Sequence, residues 1–159
     1  MTSSRQVGQN KELLIQHRGI AMNPGRSLHM AYPKPCGIIA ILTDFGLEDP
    51  YVAAMKAVAL DICPSTKIVD ISHNIKSFDI ETAALTLYMV YRYFPRGTIF
   101  VVVVDPGVGS SRRAITILSS NYIFVGPDNG VLFPSAKDDG IIAVKLVEND
   151  RYFRKPVSR

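Results

Sequence analysis

The sequence predicts an α/β fold of three layers, α/β/α, around a mostly parallel sheet. Three observations carry that expectation. Short apolar runs alternate with segments of helical periodicity between residues 37 and 104, the order β-α-β-α-β. The third run, Thr98 to Val104, is β-branched and unalternated, as in a strand covered on both faces of a parallel sheet. The composition, 47% hydrophobic and 20% charged over 159 residues, suits one folded core and excludes disorder, collagen-like repeats or low complexity for the bulk of the chain.

The elements follow in order. Gly37 to Thr43 is a short apolar strand, and Tyr51 to Ile62 then places Val52, Met55, Val58, Ala59 and Ile62 at helical spacing before Pro64 stops the helix. Lys67 to Ser72 is a second β-rich run. Asp79 opens a helix whose Ile80, Ala83, Ala84, Leu87, Val90, Tyr91 and Phe94 share one face, closed by Pro95-Arg96-Gly97. After Val104 come Ala114 to Leu118, Tyr122 to Val125 and Ile141 to Val147, read as added strands joined in part by hairpins, with Pro127-Asp128-Asn129-Gly130 as a turn. No fixed-period repeat is present, and no apolar run approaches the roughly 20 residues of a membrane-spanning helix.

Charge divides the chain. Residues 1–36 hold five basic residues against Glu12, while residues 37–159 hold 13 basic and 13 acidic ones, so the folded part is neutral and no nucleic-acid surface is expected. Residues 1–36, polar and ending in Tyr32-Pro33-Lys34-Pro35, read as a flexible basic extension; a targeting peptide is the less favoured alternative to a plain tail, a tag or a later start. Cys36 and Cys63 form neither a CxxC pair nor part of a Cys/His cluster, so no disulfide framework or zinc site is expected and a reducing, cytoplasmic setting fits.

The chemistry is expected where strands stop, because ligands of open α/β sheets bind outside the carboxyl ends of the strands. The first three runs end in Thr43-Asp44, Ser72-His73 and Asp105. A lone Asp after a strand is usually a loop cap, but two on neighbouring parallel strands favour function. Thr43-Asp44-Phe45-Gly46 looks like the kinase metal motif, yet the upstream kinase motifs are missing; Gly107-Val108-Gly109 lacks the third glycine and the helix of a dinucleotide site. What remains is a tight loop, Asp105 to Arg113, that can curl a guanidinium back to the Asp105 carboxylate and so hold and polarise one water. A loop-stapling ion pair accounts for the same residues equally well.

Six motifs, in order, now carry a resemblance: Thr43-Asp44-Phe45-Gly46; Asp49-Pro50-Tyr51-Val52; Val69-Asp70-Ile71-Ser72-His73; Phe94-Pro95-Arg96-Gly97-Thr98; Val104-Asp105-Pro106-Gly107-Val108-Gly109-Ser110 with Arg112-Arg113; and Pro127-Asp128-Asn129-Gly130. Over residues 37–155 the chain resembles the N-terminal domain of the S-adenosyl-L-methionine (SAM) hydroxide adenosyltransferases, the SAM hydrolases related to SAM-dependent fluorinases and chlorinases. The resemblance implies attack of water on C5′ of the ribose of SAM, releasing adenosine and methionine, with SAM as substrate and no metal or other cofactor. It implies that Asp105 and Arg112 are two of three water-activating residues, the third being a His just beyond Arg159.

It further implies that Asp44 accepts hydrogen bonds from the ribose hydroxyls and that Asp49, Tyr51, Phe78 and Asn121 bind substrate, Asn121 by matching a residue that lines the halide site of the halogenases. Helix capping for Asp49 and a hydrophobic staple for Phe78 are the alternative readings. His73 is expected to be a loop hydrogen bonder. The family also implies a C-terminal β-barrel domain that holds adenine and a homotrimer with sites between subunits, so residues 156–159 read as the start of a truncated interdomain linker and the chain as a fragment. Asp105 in place of the halogenase Tyr, the presence of Arg112 and the short Ser119-Ser120-Asn121 passage favour water over halide. The other class of reading is a binding or trimerisation module without turnover.

Overall fold

A computed structural model describes residues 32–154 of the chain. The expected extension up to residue 31 and the expected linker start at 156–159 lie outside the described residues. Within them, six strands form one sheet: β1 (Ile38–Thr43), β2 (Lys67–Ser72), β3 (Ile99–Val103), β4 (Ala114–Ser119), β5 (Ile123–Pro127) and β6 (Ile141–Leu146). The helices are α1 (Tyr51–Ile62), α2 (Ile80–Val90) and α3 (Phe133–Asp139), with one 3₁₀ turn, Tyr91–Tyr93, closing α2 and another at Asp150–Tyr152. None of these helices is long and apolar enough to cross a membrane.

The strand order is β2-β1-β3-β5-β4-β6. β1 pairs in parallel with β2 and β3, and β3 with β5, whereas β4 is antiparallel to both β5 and β6. The β1-α1-β2 crossover moves one way along the sheet and β2-α2-β3 the other. Right-handed crossovers therefore put α1 and α2 on opposite faces. The α/β fold is as the sequence predicts.

One face carries the core. Ala40, Leu42, Phe100, Val102, Ile115, Ile117 and Phe124 project from the strands against Ala83, Ala84 and Leu87 of α2 and Ala136 of α3. Tyr91 is buried at the centre of an aromatic cluster, its ring centroid 5.7 Å from Tyr122 and 6.2 Å from Phe124; Phe100 stacks on Phe124 at 5.1 Å. Such offset and edge-to-face arrangements add to the area burial itself. α2 starts where Asp79 caps it, accepting from the Thr82 N–H at 2.9 Å.

Three expectations need correction. β3 is not covered equally on both faces: Phe100 and Val102 are fully buried, while Ile99, Val101 and Val103 are half-buried. The reason is the thin cover on that face. α1 buries only Val52, and its apolar side, with Met55, Val58 and the 74% exposed Ile62, lines an open groove beside Ile39 and Phe45. Pro127 to Gly130 does not close a hairpin but leads into α3, a helix that residues 133–139 do not announce by periodicity because it is only two turns long. Finally, residues 34–36 are tied down: the Cys36 N–H donates to the Gly97 carbonyl at 3.0 Å, so this end of the expected extension lies on the domain.

Because Phe100 is wholly buried among Phe94, Tyr122 and Phe124, Phe100→Ala is expected to cost about 3–5 kcal/mol. A urea titration followed by circular dichroism would show the midpoint fall; an unchanged midpoint would place the centre of stability elsewhere.

Candidate active site at the carboxyl edge

Four parallel strands deliver their carboxyl ends to one edge of the sheet. β1 ends at Thr43 opposite Val103 of β3, so Asp44 and Asp105 leave neighbouring strands within a residue of each other in register. β4 runs the other way and therefore begins at this edge, where Ala114 pairs with Pro127. That direction brings Arg112 and Arg113 back beside the strand ends after the nine-residue loop from Asp105.

The loop is wound on its own hydrogen bonds. Asp105 Oδ1 accepts from the Gly107 N–H at 2.8 Å and pairs with Arg112 Nε at 3.0 Å. Ser110 Oγ donates to the Gly107 carbonyl at 2.6 Å and accepts the Arg112 N–H at 3.2 Å. Gly107 is required by space. A Cβ there would stand 2.5 Å from Arg112 Nε, inside any real contact, so only glycine lets the guanidinium lie across the loop.

The next loop braces this one. Arg112 Nη1 donates to the Asp128 carbonyl at 3.3 Å, and Arg113 pairs with the Asp128 carboxylate at 2.5 Å. Asn129 Nδ2 donates to the Val104 carbonyl at 2.8 Å. The sequence marks residues 127–130 as a turn motif, but nothing local says that Asp128 and Asn129 hold the ends of β3 and β4; the pairing of Ala114 with Pro127 decides it. Asp105 is the more sheltered partner, with a side chain 14% exposed against 31% for Arg112. Asp105 Oδ2 and Arg112 Nη2 make no hydrogen bond among the described residues, and an acceptor beside a donor is what a single water needs.

Asp44 stands on the other side of the strand end. Its Oδ2 accepts the Phe78 N–H at 2.8 Å. Phe78 reaches it from φ +65°, a left-handed conformation that costs a residue with a Cβ about 1–2 kcal/mol. Phe78 itself is 57% exposed. Asp49 lies exposed in the turn before α1 and does not cap it; the N-cap is Pro50, with no side-chain hydrogen bond. Tyr51 is exposed on the first turn of α1, its ring 5.9 Å from Phe45.

Asn121 is not brought to this edge. It lies in the turn between β4 and β5, at the amino end of the parallel strands, where its carbonyl accepts the Gly97 N–H at 2.8 Å and its side chain donates to Asp139 at 2.7 Å. Within one chain Asn121 therefore stands apart from Asp105 and Arg112, because β4 carries the residues at its two ends to opposite edges of the sheet. His73 is a hydrogen bonder, as expected, and a buried one: its Nδ1 is 2.9 Å from Thr43 Oγ1.

Asp70 precedes His73 by three residues and faces outward. Partial burial alone would raise its carboxyl, but the hydrogen bond from Lys56, at 2.6 Å, and the His73 imidazole close beside it outweigh that and hold it below the usual range.

The residues thus arranged match the family described as the SAM hydroxide adenosyltransferase N-terminal domain, over residues 39–159. The chain belongs to this family. It is 45% identical over 93 residues to an (R)-S-adenosyl-L-methionine hydrolase of Thermus thermophilus, an alignment covering 58% of this chain and 36% of the relative. With the (R)-S-adenosyl-L-methionine hydrolase of Methanocaldococcus jannaschii it shares 43% identity over 76% of this chain and 47% of the relative. A fluorinase of an Actinoplanes species is 28% identical over 72% of this chain and 46% of that protein.

Among solved structures, an uncharacterized conserved protein from Thermotoga maritima matches with a TM-score of 0.73 at 43% identity, over 76% of this chain and 47% of that one. The chain spans less than half the length of each of these relatives.

Two outcomes test the geometry. In Gly107→Ala the Arg112 guanidinium is expected to leave Asp105 while the sheet stays intact, read by NMR as faster water exchange of the Arg112 Nε–H with core amides unmoved; an unperturbed Nε–H would refute the close packing. Asp70 has a lowered carboxyl pKa in the folded state, so its stabilisation is present above the unfolded value near pH 4 and lost as pH falls through the lower folded value. Thermal melts of Asp70→Asn and the unmodified protein should therefore differ at pH 6 and converge toward pH 3.

Proposed function

We propose that the full protein hydrolyses SAM to adenosine and L-methionine, and that this chain supplies the half of the site that holds and activates the water. The observation that carries the proposal is the Asp105–Arg112 pair at the end of β3, with one carboxylate oxygen and one guanidinium nitrogen left over for a water. On this reading the water donates to Asp105 Oδ2 and accepts from Arg112 Nη2, which turns a lone pair outward to C5′ of the ribose. The new O–C5′ bond forms as the C5′–S bond breaks, and its electron pair passes to the sulfonium sulfur, so methionine leaves as a neutral thioether. The proton given up by the water passes to Asp105 and then to solvent.

Asp44 takes the ribose hydroxyls, an acceptor-only group facing two donors. Its remaining oxygen, Oδ1, is the one free of the Phe78 amide. Phe78, Tyr51 and Asp49 border the substrate on the exposed side of the edge, while Asn121 is given no role in this chain's own site. The proposal keeps residues 37–155 as the α/β domain, a homotrimer whose neighbouring subunit completes the adenine wall, and a cytoplasmic setting. The reaction draws on the leaving-group quality of the sulfonium, with alignment of the water as the main contribution, roughly 7–11 kcal/mol at its limit.

Two other readings have observations behind them. A halogenase is favoured by the 28% identity to a fluorinase, but the identity to hydrolases is higher and a carboxylate at the attack position repels a halide. A binding or assembly module without turnover is favoured by the Asp105–Arg112 contact, which on its own also serves as an ion pair stapling its loop.

One experiment separates them: SAM is incubated, with EDTA and with or without chloride or fluoride, with this chain alone and with this chain joined to the part of the Methanocaldococcus jannaschii relative that it does not cover. Adenosine is expected from the joined protein and falls about 10²–10⁴-fold in Asp105→Asn, the size of a lost general base. A 5′-halogenated adenosine, or no nucleoside from either protein, would overturn hydrolysis.

A further inference from the structure

His73 is placed to do more than hold its own loop. Thr43 and His73 leave adjacent strands, and Thr43 Oγ1, fully buried, is bonded on two sides: His73 Nδ1 lies 2.9 Å away and the Phe45 N–H donates to it at 3.3 Å. One residue on, the Gly46 N–H donates to the His73 carbonyl at 2.8 Å. The backbone on both sides of Asp44 is therefore fastened, directly or through one hydroxyl, to a single residue of the neighbouring strand end.

The far side of the imidazole is fixed as well. Nε2 is buried 3.2 Å from Asp70 Oδ1, out of line for a hydrogen bond, and Asp70 is itself paired with Lys56 of α1 at 2.6 Å. A proton on Nε2 faces that carboxylate, which leaves Nδ1 to accept the Thr43 hydroxyl proton and the hydroxyl oxygen to accept from Phe45. The relay runs from Lys56 through Asp70, His73 and Thr43 to the peptide that carries Asp44. Thr43 has no exposed surface, so the row is not a nucleophile and its base.

We propose that His73 is the positioning residue of the Asp44 carboxylate, aligning it with the Phe78 amide on one oxygen and with the substrate's vicinal ribose hydroxyls on the other. The ribose half of this inference rests on the proposed function; the alignment with Phe78 does not. Asp44 has no other side-chain tether among the described residues, so its aim depends on the backbone that His73 holds. Without the imidazole, Thr43 Oγ1 loses its second partner, the turn over Phe45 loosens, and the carboxylate drifts from the Phe78 N–H.

Substitutions separate positioning from mere stability. The side-chain amide of Asn reaches the place of imidazole Nδ1, and that of Gln the place of Nε2, so His73→Asn keeps the Thr43 contact and His73→Gln keeps only the side facing Asp70. Amide hydrogen exchange of Phe78, read by NMR against Phe100 and Phe124 in the core, reports the Asp44 bond without any substrate. We expect Phe78 protection to fall about tenfold in His73→Gln and His73→Ala, and to stay within about twofold in His73→Asn, with core protection unmoved.

Adenosine and 2′,3′-dideoxyadenosine are then titrated into the same proteins, where His73→Gln weakens only adenosine. Equal loss of protection at Phe78 in the Asn and Gln variants, or none in either, would overturn the positioning role. Selective loss at Phe78 with the two nucleosides bound alike by the unmodified protein would uphold the alignment and refute the ribose assignment of Asp44.

Discussion

The antiparallel course of β4 is the constraint on which the site depends. A parallel sheet sends each strand end to one edge, and the chain must cross over before it returns there. β4 avoids the crossover: it starts at the carboxyl edge, paired through Ala114 with the last residue of β5, and so returns Arg112 to Asp105 within nine residues. Reversal of that strand would strand both arginines at the far edge. The same direction carries Asn121 away, and the loop from Asp128 to Gly130 is held between β3 and β4 by Asn129 and Asp128 because their ends meet there.

Around that edge the polar groups are ordered in two tiers. The loop from Asp105 closes on itself through Gly107 and Ser110 and keeps its guanidinium by leaving no space for a Cβ. The loop from Asp44 has no such closure and is held from the neighbouring strand, by His73 beneath and by the Phe78 amide above. In both loops some polar atoms, Asp105 Oδ2, Arg112 Nη2 and Asp44 Oδ1, make no hydrogen bond among the described residues. The core beneath, with Phe100 stacked on Phe124 and Tyr91 set against both Tyr122 and Phe124, gives both loops a rigid base.

Much of this is legible before any coordinates. α1 and β2 fall on the residues whose periodicity predicts them, and the Asp79 cap is where the sequence places it. Asp105 and Arg112 meet because seven residues of Gly-rich loop cannot take them far apart. What misleads is burial. The apolar run of β3 implies cover on both faces, yet composition does not say how much of a helix lies over a strand, and α1 covers little. α3 stays hidden because two turns contain too few residues to show a period, and its stability comes from packing on α2 and β4.

The sequence by itself determined the alternation of strands and helices, the acids at the strand ends and the loop that joins Asp105 to Arg112, because periodicity and short spacing are local properties of the chain. Only the tertiary structure decided that β4 runs against its neighbours, that Asn121 therefore sits at the opposite edge, and that Thr43, 30 residues before His73, is its hydrogen-bond partner. Strand direction and such partnerships are fixed by hydrogen bonds between segments far apart in sequence, and no local pattern of residues encodes which segments those are.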